Sequence, residues 1–81
     1  MEVTVKFFSY CRNMAGTDKL STSLSKDATI DDLLENLRRI LGKPDLGKDK
    51  TTFMVNQRQA SLETTLRDKD EIALLYLIGG G

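Results

Sequence analysis

The sequence lacks several residue types on which enzymes and metal sites commonly depend. It contains no histidine and no tryptophan, one cysteine and one proline. Histidine is the usual general base near neutral pH and the commonest metal ligand, so we expect neither a conventional acid–base centre nor a histidine metal site. A single cysteine excludes an internal disulfide and points to a reducing compartment, for which we expect the cytoplasm.

The sequence also lacks net charge and long apolar runs. Its 12 lysines and arginines balance its 12 aspartates and glutamates, so no basic footprint for nucleic acid or for an anionic membrane is expected. No apolar segment approaches the length of a transmembrane helix. The start, Met1-Glu2-Val3-Thr4-Val5-Lys6, is acidic early and alternates in polarity, unlike a signal peptide. A chain of 81 residues predicts one small domain.

The most informative stretch is the C-terminal one. An apolar run from Ile72 to Ile78 ends in Gly79-Gly80-Gly81. The run predicts a buried strand, whereas glycines bring backbone entropy and no side chain to pack. We therefore expect a domain over residues 1–78 and a flexible glycine tail over residues 79–81. Such a tail can enter a tunnel too narrow for a Cβ and present the Gly81 carboxyl to attack; the alternative is a frayed end without a function.

The remaining patterns predict several strands. Two-residue alternation or short apolar runs predict strands near residues 3–7, 20–24, 52–56, 59–61 and 71–78. Between the first two, residues 9–16 predict a helical turn or a loop that ends at Gly16. Asn56 begins a turn in which it tolerates left-handed backbone geometry. Leu66 is expected to be a core residue before the last strand.

One amphipathic helix is predicted over Thr29–Leu41. Thr29 can cap the first amides and Asp32 stands three residues later, as in a capping box. The apolar side chains of this segment share one stripe, formed by Ile30, Leu33, Leu34, Leu37, Ile40 and Leu41. Gly42 and Pro44 end the helix, and Gly42–Lys50 is expected to be an exposed connection.

These elements predict a two-layer α+β domain, in which one helix covers one face of a mixed sheet of four to five strands. The apolar character of the first and last strands predicts that they pair in parallel at the centre. If Ile72 and Leu74 face the helix, alternation directs Ala73 and Leu75 to the other face.

The candidates for chemistry within the domain have plainer explanations. Cys11 and Met14 have apolar helical spacing, and no base or cation that would activate the thiol is visible, so Cys11 is expected to be a core residue. Asp27, Asp31 and Asp32 could supply oxygen ligands to a metal, but a capped helix start explains them, and no metal site is expected. No catalytic residue is assigned, and the chain is not expected to be an enzyme by itself.

In this order, the elements resemble the MoaD/ThiS family of ubiquitin-like, β-grasp sulfur carriers over nearly the whole chain. The segments that carry the resemblance are Val5-Lys6-Phe7-Phe8 through Arg12 to Ala15-Gly16-Thr17-Asp18, then Thr29-Ile30-Asp31-Asp32-Leu33, Val55-Asn56, Leu66-Arg67-Asp68-Lys69-Asp70-Glu71-Ile72-Ala73-Leu74, and the final Gly80-Gly81.

Some positions differ from the family pattern. Lys69 stands where a turn glycine is usual, Cys11 where leucine is usual, and Gly79 where alanine or serine is usual. The opening is similar to molybdopterin synthase small subunits. The ending Tyr76-Leu77-Ile78, without two prolines, is closer to the carriers of thiazole synthesis, so the resemblance leaves both pathways open.

The resemblance implies a protein co-substrate that binds no cofactor. An E1-like enzyme would adenylate Gly81 with ATP, a sulfur donor protein would supply sulfur for a thiocarboxylate, and a partner synthase subunit would receive it. Attachment would be at Gly81, with Gly79 and Gly80 in the tail. The expected partner-binding residues are Ala73, Leu75, Tyr76, Leu77 and Ile78. Two alternatives remain: a ubiquitin-like modifier joined through Gly81 to lysines, and a β-grasp interaction module with an inert tail.

Overall fold

The computed structural model describes residues 1–48 and 50–76. Seven elements follow one another along the chain: β1 (Glu2–Phe7), α1 (Ser9–Ala15), β2 (Lys19–Ser23), α2 (Ile30–Leu41), β3 (Thr51–Val55), β4 (Arg58–Ala60) and β5 (Glu71–Tyr76). Both helices contribute to one core on a single mixed sheet. The predicted α+β, ubiquitin-like β-grasp fold is confirmed.

The sheet has the strand order β2-β1-β5-β3-β4. β1 and β5 lie at its centre and are parallel, with Val5 opposite Ile72 and Phe7 opposite Leu74. The other three strand pairs are antiparallel. The prediction that the first and last strands pair in parallel at the centre is therefore confirmed, and it places the end of β5 beside the end of β1.

The start of α2 is stabilised by a complete capping box. The hydroxyl of Thr29 accepts from the Asp32 amide, and the Asp32 carboxylate accepts from the Thr29 amide at 2.9 Å. Asp31 and Asp32 lie at the positive end of the helix dipole, and Arg38 and Arg39 at the negative end. The helix ends at Gly42, which adopts the left-handed conformation. The predicted helix is thus confirmed to within one residue.

The core is a single apolar cluster between the sheet and the two helices. It contains Val3, Val5, Phe7, Cys11, Ala15, Ile30, Leu33, Leu34, Leu37, Leu46, Phe53, Leu66, Ile72 and Leu74. Nothing polar or charged is buried among residues 1–48 and 50–76. The strands of this cluster alternate buried and more exposed positions, so the hydrophobic effect fixes which face of each strand is internal.

Three local features differ from the sequence-based expectations. Residues 9–15 form a helix, α1, ended by left-handed Gly16, so there are two helices on the core face of the sheet. Leu46 is fully buried although the connection around it was expected to be exposed. Ile40 is 51% exposed although the apolar stripe of α2 includes it.

The turn that precedes β5 keeps a left-handed residue without a glycine. Lys69 has φ of 69°, and its amide donates to the carbonyl of Glu2. The next residue, Asp70, accepts through its carboxylate from the amide of Arg67 at 2.8 Å and from the side chain of Asn56 at 2.8 Å. These hydrogen bonds hold the turn in the conformation that glycine usually supplies.

The glycine tail and two of the expected partner-binding residues, Leu77 and Ile78, lie outside the described residues. The division between a domain over residues 1–78 and a tail over 79–81 stays a prediction. Within residues 1–48 and 50–76, neither helix has the length and apolar character needed to cross a membrane.

Candidate functional site

The two faces of β5 have different surroundings. Ile72 and Leu74 are fully buried on the face that packs against the helices. Ala73 and Leu75 are half-buried and point to the opposite face. This is the arrangement that alternation predicted, and it places two of the expected partner-binding residues on the side of the sheet away from the core.

The face of the sheet opposite the helices, which we call the open face, carries an apolar strip across its centre. Ala73 lies in register with Met54 of β3, and Leu75 lies in register with Thr52. Phe8 follows β1 in an extended conformation, so alternation directs its side chain to this face, where it is 41% exposed. The apolar strip therefore consists of Phe8, Met54, Ala73 and Leu75.

One ion pair borders this strip. The Lys6 ammonium lies 3.2 Å from the carboxylate of Glu71, and both side chains are substantially exposed. An exposed pair of this kind contributes little to folding, about 0–1 kcal/mol. It marks a polar rim beside an apolar centre, and this is the usual composition of a protein–protein interface.

Tyr76 lies on the other face. It has the same orientation along β5 as Ile72 and Leu74, and it packs against the core while remaining half-buried. Its ring contacts the ring of Tyr10 from α1, with centroids 4.8 Å apart and planes inclined by 47°. The structure therefore brings Ala73 and Leu75 together on the open face and separates Tyr76 from them.

A groove beside the end of β5 has a volume of about 370 Å³ and is lined in part by Tyr10, Cys11, Met14 and Tyr76. Cys11 is only 3% exposed. Burial raises the pKa of the Cys11 thiol, and a hydrogen bond with Thr51 acts in the opposite direction. A raised pKa keeps the thiol protonated, and a protonated thiol is a poor nucleophile, so its setting agrees with the predicted core role.

The part of the chain that the structure describes gives no sign of a metal centre. It holds no group of three or more histidine, cysteine, aspartate or glutamate side chains close enough to bind an ion. Asp31 and Asp32 are exposed at the start of α2, and Asp32 is engaged with Thr29 in the capping box. The capping role predicted for Asp32 is therefore confirmed.

Sequence reasoning did not include Phe8 and Met54 among the partner-binding residues. Phe8 ends an alternating stretch and Met54 sits one residue from buried Phe53, so the orientation of each was visible in the pattern. Their place beside Leu75 and Ala73 depends on the register of β1, β5 and β3. Register between strands distant in sequence has no local signal.

Comparison with protein families gives a match over almost the whole chain. The sequence model of the ThiS family matches residues 5–81, which include the final glycines. No sequence among the curated proteins matches the chain significantly.

Comparison with solved structures gives matches over complete or nearly complete chains. A molybdopterin converting factor subunit 1 from Pyrococcus furiosus has 27% identity and a TM-score of 0.83, covering 96% of this chain and 99% of that one. Small archaeal modifier protein 1 from Methanosarcina acetivorans has 28% identity and a TM-score of 0.78, covering 99% and 96%. A chain in the complex of subunits 1 and 2 of molybdopterin-converting factor from Helicobacter pylori has 23% identity and a TM-score of 0.69, covering 100% of both chains.

Proposed function

The chain belongs to the ThiS family, and from that premise we propose that it is a sulfur carrier whose Gly81 carboxylate is adenylated and then converted to a thiocarboxylate. The family consists of small, generally non-catalytic carrier subunits. The thiocarboxylate would donate its sulfur during the biosynthesis of a cofactor, either molybdopterin or the thiazole of thiamine. In this role the protein is a co-substrate, and its partners perform the catalysis.

The proposed chemistry explains why activation is needed. A carboxylate oxygen is a poor leaving group, so a sulfur nucleophile cannot displace it directly. Formation of a mixed anhydride with AMP, at the expense of ATP bound by an E1-like enzyme, makes the carbonyl carbon of Gly81 open to attack. A sulfur nucleophile at the oxidation level of sulfide, delivered by a donor protein, then attacks this carbon. AMP leaves with the anhydride oxygen, and the thiocarboxylate forms with no change of oxidation state. Glycine at this position leaves the carbonyl without a Cβ that would obstruct the approach.

The observation that carries the proposal is the composition of the open face directly before the tail. Phe8, Met54, Ala73 and Leu75 form an apolar strip, and β5, which carries two of these residues, leads to residues 77–81. An exposed apolar patch with a polar rim marks a site of association. A partner that binds this strip therefore holds the chain at Leu75, only a few residues before Gly81.

The energetics require such a docking surface. Ordering the backbone of each tail residue in a partner's site costs about 1–2 kcal/mol, and glycine lies at the unfavourable end of that range. Full burial of a leucine or phenylalanine side chain contributes roughly 1.5–3 kcal/mol. The side chains of the open face are already partly buried, with Phe8 41% exposed, so each contributes only a part of this energy on docking. The strip as a whole is needed to offset the ordering of Gly79-Gly80-Gly81, and this supports a role for Leu75 and its neighbours in binding.

Three classes of partner follow from the proposal: an E1-like adenylating enzyme, a sulfur donor protein and a synthase subunit. The complex of the two converting-factor subunits from Helicobacter pylori supports a synthase partner by analogy of fold. ATP is used by the activating enzyme, and no cofactor is assigned to this chain. We place the reaction in the cytoplasm, where ATP is available and the single thiol stays reduced.

A second candidate function is conjugation of Gly81 to lysines of other proteins, as a ubiquitin-like modifier. The observation that favours it is the 28% identity over nearly complete chains with small archaeal modifier protein 1 from Methanosarcina acetivorans. Conjugation and sulfur transfer share the adenylation step and differ in the nucleophile, which is a lysine amine in one and a sulfur donor in the other.

Intact mass spectrometry of the protein purified from its own cells separates these possibilities. Sulfur transfer predicts a species in which sulfur replaces one oxygen of Gly81, and alkylation of the thiocarboxylate should trap it. Conjugation predicts peptides of other proteins that carry the C-terminal glycines on a lysine. Unmodified protein as the sole species, in cells that are actively making the cofactor, would contradict both functions and leave an interaction module with an inert tail.

A further inference from the structure

The last residue of β5 is held by a strand on one side only. On the β1 side, pairing ends at Phe7 opposite Leu74, and the Phe8 amide makes a final hydrogen bond to the Leu74 carbonyl at 3.0 Å. On the β3 side, pairing continues to Thr51 opposite Tyr76. After Phe8 the chain forms α1. Among the residues that the structure describes, Tyr76 therefore has no strand partner on that side.

The ring of Tyr10 contacts Tyr76 in this region. Tyr10 belongs to α1, whose position is fixed by the buried side chains of Cys11 and Ala15. Its own side chain is 47% exposed, so Tyr10 is not needed to fill the core. Its ring centroid lies 4.8 Å from that of Tyr76, within the range for favourable aromatic pairs. The contact thus ties the end of β5 to a helix that is anchored independently.

We propose that Tyr10 is a positioning residue for activation of the C-terminus: through its ring contact with Tyr76 it holds in place the residue after which the segment carrying the Gly81 carboxyl begins. The inference rests on the proposed adenylation of Gly81 and adds a residue that acts on it from α1. Tyr10 does not touch the reacting group.

Geometry explains why a contact at Tyr76 affects a reaction at Gly81. Five residues follow Tyr76, and an extended segment of this length spans at most about 18 Å. Once the enzyme holds this segment extended, a displacement of Tyr76 is passed along it to the carboxyl, and a misplacement of about 1 Å can lower a rate by about 100-fold. A small loss of order at Tyr76 is therefore enough to slow activation.

The residues that would position the C-terminus and the residues that would bind the partner lie on opposite faces of the sheet. Tyr10 and Tyr76 lie on the helix side of the sheet, whereas Phe8, Met54, Ala73 and Leu75 lie on the open face. On this proposal the partner contacts the open face and not the tyrosine pair, so the expectation that Tyr76 itself binds a partner is what the KM measurement below tests. Removal of the Tyr10 ring is therefore expected to change the rate of activation without changing the affinity for the activating enzyme.

The test measures ATP–pyrophosphate exchange by the E1-like enzyme of the same cell as a function of carrier concentration. Tyr10→Ala should lower kcat by about tenfold or more, with KM for the carrier at its wild-type value. Tyr10→Phe keeps the ring and should restore kcat. Asn13→Ala, at an exposed position of the same helix, is the matched control and should behave as wild type.

A second measurement follows the contact itself and does not depend on the enzyme. Backbone ¹⁵N relaxation should show that the Tyr76 amide gains motion in Tyr10→Ala, while amides of Ile72 and Leu74 remain as in the wild type. Tyr10→Phe should keep Tyr76 ordered. A thermal melt of each variant establishes that the domain is folded in all cases.

Several outcomes would overturn the inference. An unchanged kcat in Tyr10→Ala would show that the ring has no role in positioning. A raised KM with unchanged kcat would make Tyr10 a docking residue, and failure of Tyr10→Phe to restore kcat would assign the effect to the hydroxyl. An equally ordered Tyr76 in Tyr10→Ala would remove the physical basis whatever the kinetics. Absence of exchange with the wild-type protein, in contrast, would refute the proposed function and, with it, this role.

Discussion

The backbone of Gly47 lies directly against the side chain of Leu34. A Cβ at position 47 would be 2.6 Å from Leu34 Cδ2, and Gly47 has φ of +79°. Leu34 is fully buried in α2, and Leu46, the neighbour of Gly47, is fully buried as well. The connection between α2 and β3 therefore closes one end of the core, and glycine is required there for space as well as for backbone conformation.

Replacement of Gly47 by alanine should lower the free energy of unfolding by about 2–4 kcal/mol. Left-handed geometry costs a residue with a Cβ about 1–2 kcal/mol, and overpacking adds roughly 1–3 kcal/mol. Gly42→Ala is the matched control, because Gly42 also has a positive φ, +66°, but has open space where the Cβ would lie. Its cost should be about 1 kcal/mol. Equal costs in urea denaturation would contradict the close contact with Leu34.

Replacement of Lys69 by glycine should have the opposite effect and stabilise the fold. Its φ of 69° is unfavourable for a residue with a Cβ, by about 1–2 kcal/mol, while glycine costs about 0.4–1 kcal/mol through the unfolded chain. Lys69→Gly should therefore raise the free energy of unfolding by about 0.5–1 kcal/mol. Lys43→Gly, at an exposed position without a positive φ, should lower it. A loss of stability in both variants would show that the turn before β5 is not strained at Lys69.

The raised pKa of Cys11 predicts a dependence of stability on pH. Because burial places the pKa of the thiol above its value in the unfolded chain, the folded state retains the proton longer. The stabilisation is full below the unfolded pKa, about 8.5, and is lost as the pH rises through the folded pKa. Denaturation experiments between neutral and alkaline pH give the free energy of unfolding of the wild type and of Cys11→Ala. These two free energies should converge as the pH rises above the pKa of the thiol in the unfolded chain.

The same variant tests the role of Cys11. Cys11→Ala should be less stable than the wild type below that pH and should still be adenylated and carry sulfur. Parallel pH profiles for the two proteins would mean that the thiol titrates normally in the folded state. A folded variant that cannot carry sulfur would make Cys11 a sulfur-handling residue.

The fold was predictable because its signals are local. The capping box of Thr29 and Asp32, the apolar stripe of α2 and the alternation in β1 and β5 each depend on a few adjacent residues. The burial of Leu46 was missed because it sits in a polar segment, where the surrounding composition gives no periodicity. The exposure of Ile40 was missed because helical spacing does not show which positions of an apolar stripe are covered in the folded protein.

The candidate site was predictable in part for the same reason. Alternation alone placed Ala73 and Leu75 opposite Ile72 and Leu74. Tyr76 was assigned to partner binding from its place near the edge of the sheet, and the sequence did not show its contact with Tyr10, since residues 10 and 76 are brought together only by the parallel pairing of β1 with β5. Long-range contacts of this kind are a property of the tertiary structure.

A charge on the open face should separate binding from folding. Leu75→Glu should weaken association with the E1-like enzyme by tenfold or more, about 1.4 kcal/mol or above, because it places a carboxylate at the centre of the apolar strip. The domain should remain folded, since Leu75 is outside the buried core. Leu62→Glu, which changes an exposed leucine outside the apolar strip, is the control. Titration calorimetry that gives equal affinities for both variants would exclude Leu75 from the interface.

The most direct measurement concerns Gly81. If activation occurs at its carboxyl, the distance of that carboxyl from the docked sheet is set by chain length, and one residue changes it by about 3.3–3.6 Å. Reaction requires an approach of roughly 3–3.5 Å. Adding one alanine after Gly81, or deleting Gly81, should therefore abolish ATP–pyrophosphate exchange with the E1-like enzyme, while thermal melts show a stability within about ±0.5 kcal/mol of the wild type. Full exchange by the alanine-extended protein would contradict the carrier function, whereas full exchange by the deletion alone would move the working terminus to Gly80.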